Sequence, residues 1–149
     1  PEKVNVHNTA IQDFFPETRY DLIVTNPPFF ERSLTPPDKL RTLARHTHNL
    51  SFHDLLSNAS RLLGDRGRFA VILPHAEGSR FVDLARAAQL YILRRTHFRS
   101  KAEKPAKRLL IEFSRETESR DESELILYGD ADAWSEDYQK LTRDFYLNI

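Results

Sequence analysis

The segment Tyr20–Glu31, YDLIVTNPPFFE, ends an apolar run with an amide, two prolines and two aromatic rings. The Asn26 side chain offers an acceptor oxygen and two N–H donors, whereas Pro27 and Pro28 have carbonyl groups but no backbone N–H. The backbone here is therefore stiff and rich in acceptors, and Phe29 adds a flat face. These features suit an aromatic amine such as the N6 amino group of adenine, which has two N–H donors on a ring that stacks.

An aromatic amine is a poor nucleophile because its lone pair is delocalised into the ring. Asn26 Oδ1 and the Pro27 carbonyl could accept both amine hydrogens, which would favour a tetrahedral nitrogen with its lone pair aimed at an electrophile. Each bond contributes about 1 kcal/mol in the ground state, and preorganised bonds contribute more in the transition state. Stacking on Phe29 adds roughly 1–3 kcal/mol. An isolated Pro-Pro pair more often only terminates a strand, but the complete pattern favours this chemistry.

The residues around this segment predict alternating strands and helices. Consecutive apolar residues in YDLIVT and RFAVIL are typical of strands buried on both faces. Strands are predicted at Val4–His7, Asp21–Thr25, Arg68–Leu73, Leu90–Phe98, Arg108–Ser114 and Leu125–Tyr128. A helical turn is predicted at Ile11–Phe15, helices at Ser51–Leu63, Ser79–Gln89 and Ser135–Phe145, and a solvated loop at Arg115–Glu124.

The order of these elements predicts an α/β fold with a parallel, doubly wound sheet. The late strands follow one another without a helix, which predicts an antiparallel pair at one edge. Ligands of open parallel sheets bind beyond the carboxyl ends of the strands, where Asn26–Phe30 and Pro74–His75 both lie.

Two helices carry specific signals. Ser51 is predicted to cap the first, with Asp54 three residues on and Gly64 as the C′ residue. The next helix is predicted to turn inward Phe81, Val82, Leu84, Ala85 and Ala88.

Composition limits the classes of function. The chain has 149 residues, no cysteine and a formal net charge of zero, which predicts one domain without a global field for nucleic acid or membrane. The lack of cysteine excludes disulfides and thiolate chemistry and is typical of a reducing compartment. No apolar run approaches the roughly 20 residues of a membrane helix, so we predict a cytoplasmic protein with no membrane partner.

The motif Asn26-Pro27-Pro28-Phe29 resembles the (Asn/Asp)-Pro-Pro-aromatic motif of S-adenosylmethionine-dependent methyltransferases that act on planar nitrogen. This set includes adenine-N6, glutamine-N5 and guanine-N2 enzymes, and the motif alone does not choose among them. Longer stretches are similar to the bacterial valine-tRNA adenine-N6 methyltransferases, which methylate the adenine beside the anticodon. These stretches are VNVHNTAIQDF, ARHTHNLSFHDLL, VILP and the ending WSEDYQKLTRDFYLNI.

This resemblance implies a Rossmann-like class I methyltransferase fold, S-adenosyl-L-methionine as cofactor and tRNA as substrate. It implies a catalytic set in which Asn26 and Pro27 hold the target amino group and Phe29 stacks on the base, with Pro28 completing the motif.

The same resemblance implies that the cofactor lies against Asn26 and the segment Thr9, Ala10 and Ile11. The family commonly has an acidic residue near the position of Ala10, and this chain departs from that pattern. We expect backbone atoms of Thr9 and Ala10 to substitute for the missing carboxylate, while Ile11 packs on the cofactor adenine.

The family fold also has a glycine-rich loop after its first strand, but the first glycine here is Gly64. We therefore interpret residues 1–149 as the C-terminal portion of a single methyltransferase domain, without its first two strands. The family sheet order 3-2-1-4-5-7-6 then leaves Val4–His7 without a neighbour and one edge of Asp21–Thr25 unpaired. We expect the isolated chain to bind cofactor weakly or not at all, to be inactive, and to associate with another copy through that edge.

Two basic stretches could contact RNA phosphates, one in residues 41–53 and one in residues 94–108. Both could equally be solvated surface. The predicted contacts are Arg41, Arg45, Arg95 and Lys107. The first stretch also contains His46, His48 and His53. Their spacing fits no familiar zinc site, so we predict no metal.

Two other functions stay open at this stage. A protein-glutamine N5 methyltransferase would use the same acceptors on a side-chain amide, although the basic stretches argue mildly against it. A non-catalytic RNA-binding module would keep only the shell of the pocket.

Overall fold

The computed structural model describes residues 4–27, 50–116, 121–129, 131 and 133–146. The strands are β1 (Tyr20–Thr25), β2 (Leu63–Pro74), β3 (Tyr91–Arg99), β4 (Arg108–Ser114) and β5 (Asp121–Ile126). The helices are α1 (Phe52–Leu62), α2 (His75–Ala85) and α3 (Glu136–Thr142), with short 3₁₀ turns at Ile11–Asp13 and Arg86–Ala88.

The five strands form one sheet in the order β1-β2-β4-β3-β5. Strand β1 is parallel to β2, and β3 is parallel to β5, whereas β4 is antiparallel to both of its neighbours. All strands except β4 therefore run in the same direction. In sheet order, β1, β2, β4 and β3 match the 4-5-7-6 part of the strand order that the resemblance implies. The expectation of an α/β fold is therefore confirmed.

The antiparallel pair is present, but the prediction that it forms an edge is wrong. Strand β5 pairs outside β3, and it begins at Asp121, inside the segment that was predicted to be a loop. The acidic side chains of β5 explain this, because they face basic side chains of β3. Glu124 Oε1 lies 2.7 Å from Arg99 Nη2, and Glu122 Oε1 lies 2.8 Å from His97 Nε2.

Helices α1 and α2 pack on one face of the sheet around three phenylalanine rings. Phe69 of β2, Phe81 of α2 and Phe113 of β4 are fully buried, and their ring centroids are 5.9 to 6.2 Å apart. Burying such a side chain stabilises the fold by roughly 1.5–3 kcal/mol. The other members of this core include Leu55, Leu56, Ala59, Leu63, Val71, Leu73, Leu90, Leu109 and Ile111.

Helix α1 begins where the sequence predicts and ends differently. The backbone N–H of Asp54 donates to Ser51 Oγ at 3.0 Å, which confirms the predicted cap. The predicted C′ glycine is wrong, because Leu63 is already extended at φ −79° and ψ 133°, and no described glycine has a positive φ. Leu63 pairs with Tyr20 of β1, so the chain passes from α1 into β2 without an intervening turn.

Helix α2 begins at His75, four residues before the predicted start, because β2 runs straight into it after Pro74. Its buried face is formed by Gly78, Phe81 and Ala85. At 3.6 residues per turn, Leu84 lies roughly a quarter turn from the centre of that face. Leu84 is accordingly 45% exposed, so its predicted inward position is wrong.

Residues Val4–His7 do not form the predicted strand. A strand needs a neighbour for its backbone hydrogen bonds, and none of the described residues lies alongside this segment in the sheet. Val4 and Val6 are 85% and 89% exposed as a result. In the same part of the structure β1 is an edge strand, as expected, with Leu22 and Val24 58% and 70% exposed.

The sheet face opposite α1 and α2 carries an apolar groove of about 310 Å³. Side chains alternate between the two faces along each strand, so the groove is lined by residues such as Val24, Ile72, Leu110 and Leu125. Helix α3 packs beside it, with Leu141 on its wall and Tyr138 next to Phe98 of β3.

Candidate active site

The candidate site begins where β1 ends. Thr25 pairs with Val71 of the parallel strand β2, so Asn26 and Pro27 lie at the carboxyl edge of the sheet, beside the end of β2. Asn26 is exposed and Pro27 is buried. The buried proline fixes the backbone, while the amide side chain stays open to a ligand. Pro28 and Phe29 lie outside the described residues.

The end of β2 is tied to the connection between β3 and β4. The backbone N–H of His75 donates to the Lys107 carbonyl at 3.0 Å. The His75 ring lies 5.5 Å from the His97 ring, and His97 Nε2 is 2.8 Å from Glu122 Oε1. The sequence analysis predicts Pro74-His75 at this edge. It does not predict the contact between His97 and Glu122, because only the strand register brings them together.

The predicted cofactor segment forms a 3₁₀ turn at Ile11–Asp13. Ala10 precedes the turn in an extended conformation, and its carbonyl accepts the Asp13 N–H at 3.0 Å. Thr9 and Ala10 are exposed, whereas Ile11 packs against the core. Exposed backbone beside a fixed apolar side chain fits the adenine contact that the resemblance implies, so the residues present fit this part of the cofactor.

Arg61 of α1 contacts the same turn, and the sequence interpretation did not include it. Its guanidinium donates to the carbonyl groups of Ile11 and Phe14 at 3.1 and 3.0 Å. No local spacing signals a contact between residues so far apart in the chain.

The predicted RNA contacts have different surroundings. Arg95 is half-buried, and its guanidinium lies 3.7 Å from the Glu122 carboxylate. Lys107 is exposed and directly precedes β4. Arg41 and Arg45, like His46 and His48, lie outside the described residues. The structure thus leaves Lys107 more accessible than Arg95 to an anionic ligand.

The C-terminal aromatic cluster holds a perturbed tyrosine. A hydrogen bond with Tyr146, together with partial burial, raises the pKa of Tyr138 above its ordinary value of 10.0. Trp134 lies 5.6 Å from Tyr138 and 5.3 Å from Tyr146, measured between ring centroids. This cluster packs at the β5 side of the sheet, away from β1, and therefore supports α3 rather than the candidate site.

Two absences apply to the described residues only. In that part of the chain no three His, Cys, Asp or Glu side chains are grouped so that they could hold a metal ion. None of the helices seen there has the length and apolar character needed to span a bilayer.

No protein-family model matches the chain. A search of curated proteins finds relatives named tRNA1(Val) (adenine(37)-N6)-methyltransferase. The relative from Parabacteroides distasonis is 37% identical over 150 residues, covering 99% of this chain and 63% of the relative. That from Bacteroides fragilis is 40% identical over 131 residues, covering 88% and 55%. That from Trichodesmium erythraeum is 37% identical over 148 residues, covering 98% and 62%.

A solved structure supports the fold. The crystal structure of a predicted O-methyltransferase from Agrobacterium tumefaciens matches with a TM-score of 0.58 at 16% identity, covering 86% of this chain and 53% of that chain. The present chain spans between 55% and 63% of the length of the three curated relatives. Because the identity to those relatives extends along most of the chain, the resemblance drawn from the motifs is confirmed: the chain is similar to the bacterial proteins named tRNA1(Val) (adenine(37)-N6)-methyltransferase.

Proposed function

We propose that this chain contributes the amine-binding end of an S-adenosylmethionine-dependent methyltransferase that modifies an adenine N6 in tRNA, in the anticodon loop as the relatives' name implies. One observation carries the proposal: Asn26 is exposed next to the buried Pro27 at the carboxyl end of a parallel strand. An accessible acceptor on a fixed backbone is what binding of a planar amine requires. The names of the sequence relatives support adenine in tRNA as the substrate.

In this proposal the target base leaves its stack and lies against Phe29, with Pro28 keeping the backbone between them stiff. Asn26 Oδ1 and the Pro27 carbonyl each accept one N6 hydrogen. These two bonds strengthen as positive charge develops on nitrogen, so they lower the barrier more than they improve ground-state binding.

S-adenosylmethionine, when bound, supplies an electrophilic methyl group. Asn26 and Pro27 would aim the N6 lone pair at that methyl group, so that a new N–C bond would replace the methyl–sulfur bond and the electron pair would stay on sulfur. The nitrogen then releases one proton to solvent, so no residue of this chain is required as a general base. Thr9 and Ala10 would hold the cofactor through backbone atoms, and Ile11 would pack against its adenine.

The tRNA backbone would be bound by basic side chains near this edge. Lys107 is exposed and lies next to the end of β2 through its bond to His75. Arg95 would contribute less to tRNA binding than Lys107, because Glu122 already neutralises part of its charge. Arg41 and Arg45 complete the proposed set, with Arg45 on a phosphate. Such contacts supply the sequence-independent part of RNA affinity.

Substitution of Asn26 tests the proposal in the complete polypeptide that carries this chain. We expect Asn26→Ala to lower turnover on tRNA at least about a hundredfold, because one preorganised transition-state bond is lost. Circular dichroism should stay unchanged, since the side chain is exposed and its removal leaves the fold intact. Asn26→Asp keeps an acceptor oxygen and should retain part of the activity. Near-normal turnover of Asn26→Ala would contradict the proposal.

The substrate class is tested with methyl-labelled cofactor. We expect label in tRNA, at adenine N6, and none in a glutamine-containing release-factor peptide. Label in the peptide alone would replace the tRNA proposal with glutamine N5 methylation, and label in neither would favour a non-catalytic role.

A further inference from the structure

Arg61 joins helix α1 to the 3₁₀ turn that follows Ala10. Its Nη2 atom donates to the Ile11 carbonyl at 3.1 Å and to the Phe14 carbonyl at 3.0 Å. Its guanidinium carbon also lies 4.5 Å from the centre of the Phe15 ring. The Arg61 side chain therefore contacts the first residue of the turn and the two residues that follow Asp13.

The guanidinium is itself held in place. Asn58, one turn earlier on α1, accepts hydrogen bonds from Arg61 Nη2 at 2.8 Å and from Nε at 3.3 Å. Asn58 is fixed in turn by a bond from its Nδ2 to the Asp54 carbonyl at 2.9 Å. Among the described residues Arg61 has no carboxylate partner, so its charge is directed at neutral backbone oxygens. Bonds from a charged donor are stronger than those between neutral groups.

The other side-chain attachments of the turn are apolar and aromatic, and they include ring contacts of Phe14 with His7 and Tyr20. Residues 4–10 form no strand and are exposed, and Ile11 is the residue of the turn that packs against the core. An apolar contact holds Ile11 near α1 but does not fix the direction of the neighbouring carbonyl and N–H groups. Directional hydrogen bonds from Arg61 do so.

We propose that Arg61 is a positioning residue, which keeps the turn in the shape that presents Thr9 and Ala10 to the cofactor. The inference rests on the proposed function, because it assumes that these two residues contact S-adenosylmethionine. Affinity for a ligand falls in proportion to the fraction of molecules that hold the binding shape. Loss of the Arg61 bonds should therefore weaken cofactor binding. It should not alter the hydrogen bonds that Asn26 and Pro27 accept from the target amine.

The test measures steady-state methylation of tRNA by the complete polypeptide. If removal of the bonds leaves about one molecule in ten with an ordered turn, Arg61→Ala raises the KM for S-adenosylmethionine about tenfold. The kcat at saturating cofactor and the KM for tRNA should stay within twofold of the unsubstituted enzyme. Arg61→Lys keeps a charged donor that can reach one carbonyl, so it should recover part of the cofactor affinity.

Arg115, which directly follows β4, provides a matched control because it bonds to the same helix. Its Nη2 donates to the Ser60 carbonyl, next to Arg61, but has no bond to the turn. Arg115→Ala removes an arginine-to-backbone bond of the same type and should leave the KM for cofactor unchanged. An equal rise in both variants would overturn the inference, because the effect would then follow from destabilised α1.

A second variant keeps the inference testable if Arg61→Ala does not fold. Asn58→Ala leaves the arginine in place but removes its two anchoring bonds, and a rise of a few fold in the KM for cofactor is expected. No rise in either variant overturns the role of Arg61 while methylation by the unsubstituted enzyme still supports the proposed function. If the unsubstituted enzyme neither binds S-adenosylmethionine nor methylates tRNA, the proposed function itself fails.

Discussion

Asn26 and Pro27 are sequence neighbours with opposite surroundings, one exposed and one buried. This difference matters because a ligand-binding amide must be reachable, yet its backbone must not move when the ligand binds. Pro27 supplies a fixed φ and a buried side chain. In the proposed site, binding and rigidity are therefore divided between two adjacent residues.

Gly67 illustrates a second constraint on single residues. A Cβ atom added there would lie 2.7 Å from the Tyr20 carbonyl oxygen and 2.8 Å from the Leu63 side chain. We expect Gly67→Ala to lower the free energy of unfolding by about 1–3 kcal/mol, because β1 and β2 must separate locally. Urea unfolding followed by circular dichroism measures the change.

Gly64→Ala is the control for this prediction. Its added Cβ would lie 3.5 Å from the same Tyr20 oxygen, which is ordinary contact, so stability should stay unchanged or rise by a few tenths of a kcal/mol. Equal destabilisation by the two substitutions would show that close approach to β1 is not the cause.

Which residues could be predicted from the sequence depends on how far apart their partners lie. Asn26 could be proposed from the sequence because its whole chemical setting is local. The Ser51 cap could be predicted because a helix cap spans three residues. Arg61 was missed, since its partners Ile11 and Phe14 come from a distant part of the chain. The same holds for His97 and Glu122, which only the pairing of β3 with β5 brings together.

At the scale of elements, β5 shows how tertiary contacts override local composition. Its first four residues, Asp121–Glu124, are polar and exposed, and nothing in them is typical of a strand. Parallel pairing places Arg95 opposite Glu122 and His97 opposite Glu124. In this register the Glu122 carboxylate lies near Arg95 and His97, and Glu124 pairs with Arg99. These cross-strand contacts stabilise an edge that apolar packing alone would not define. Helix α1, by contrast, was predictable because its cap and its buried face are both local patterns.

Helix α3 carries a prediction on pH. The pKa of Tyr138 is raised by its bond to Tyr146, so the folded state holds this proton more tightly than the unfolded chain does. The associated stability is complete below about pH 10, the unfolded value, and is lost as the pH rises through the folded pKa. In Tyr146→Phe the pKa of Tyr138 should fall towards 10, as measured from its ring carbon chemical shift during an NMR titration.

Tyr91→Phe serves as the reference for this titration, because Tyr91 lies in β3 rather than in the aromatic cluster. It should leave the Tyr138 titration unchanged. If the pKa of Tyr138 is the same in Tyr146→Phe as in the unsubstituted chain, the hydrogen bond is not what raises it.

At the scale of the whole molecule, β1 is one of the two edges of the described sheet. Leu22 and Val24 expose apolar surface on this edge strand. Edges of this kind pair readily with another chain unless charge or a covering element prevents it. With a formal net charge of zero, the chain has no overall repulsion to oppose such contact.

We therefore predict that the 149-residue chain associates with itself through β1. Val24→Lys should weaken this association about tenfold, because a charge is placed on the edge. Sedimentation velocity over a series of protein concentrations measures the effect. Leu84→Lys alters a leucine that is 45% exposed on α2 and should leave the association as it was; equal effects of both substitutions would argue against pairing at β1.

The aromatic cluster beside α3 has an optical consequence. Trp134 is the chain's single tryptophan, and it forms an isolated bridge with Tyr128 just beyond β5. Strands β5 and β1 are opposite ends of a five-stranded sheet, about 19 Å apart at the usual strand spacing. The intrinsic tryptophan fluorescence of this chain therefore reports the docking of helix α3. Ligand binding at the proposed Asn26 site must be followed by a different signal.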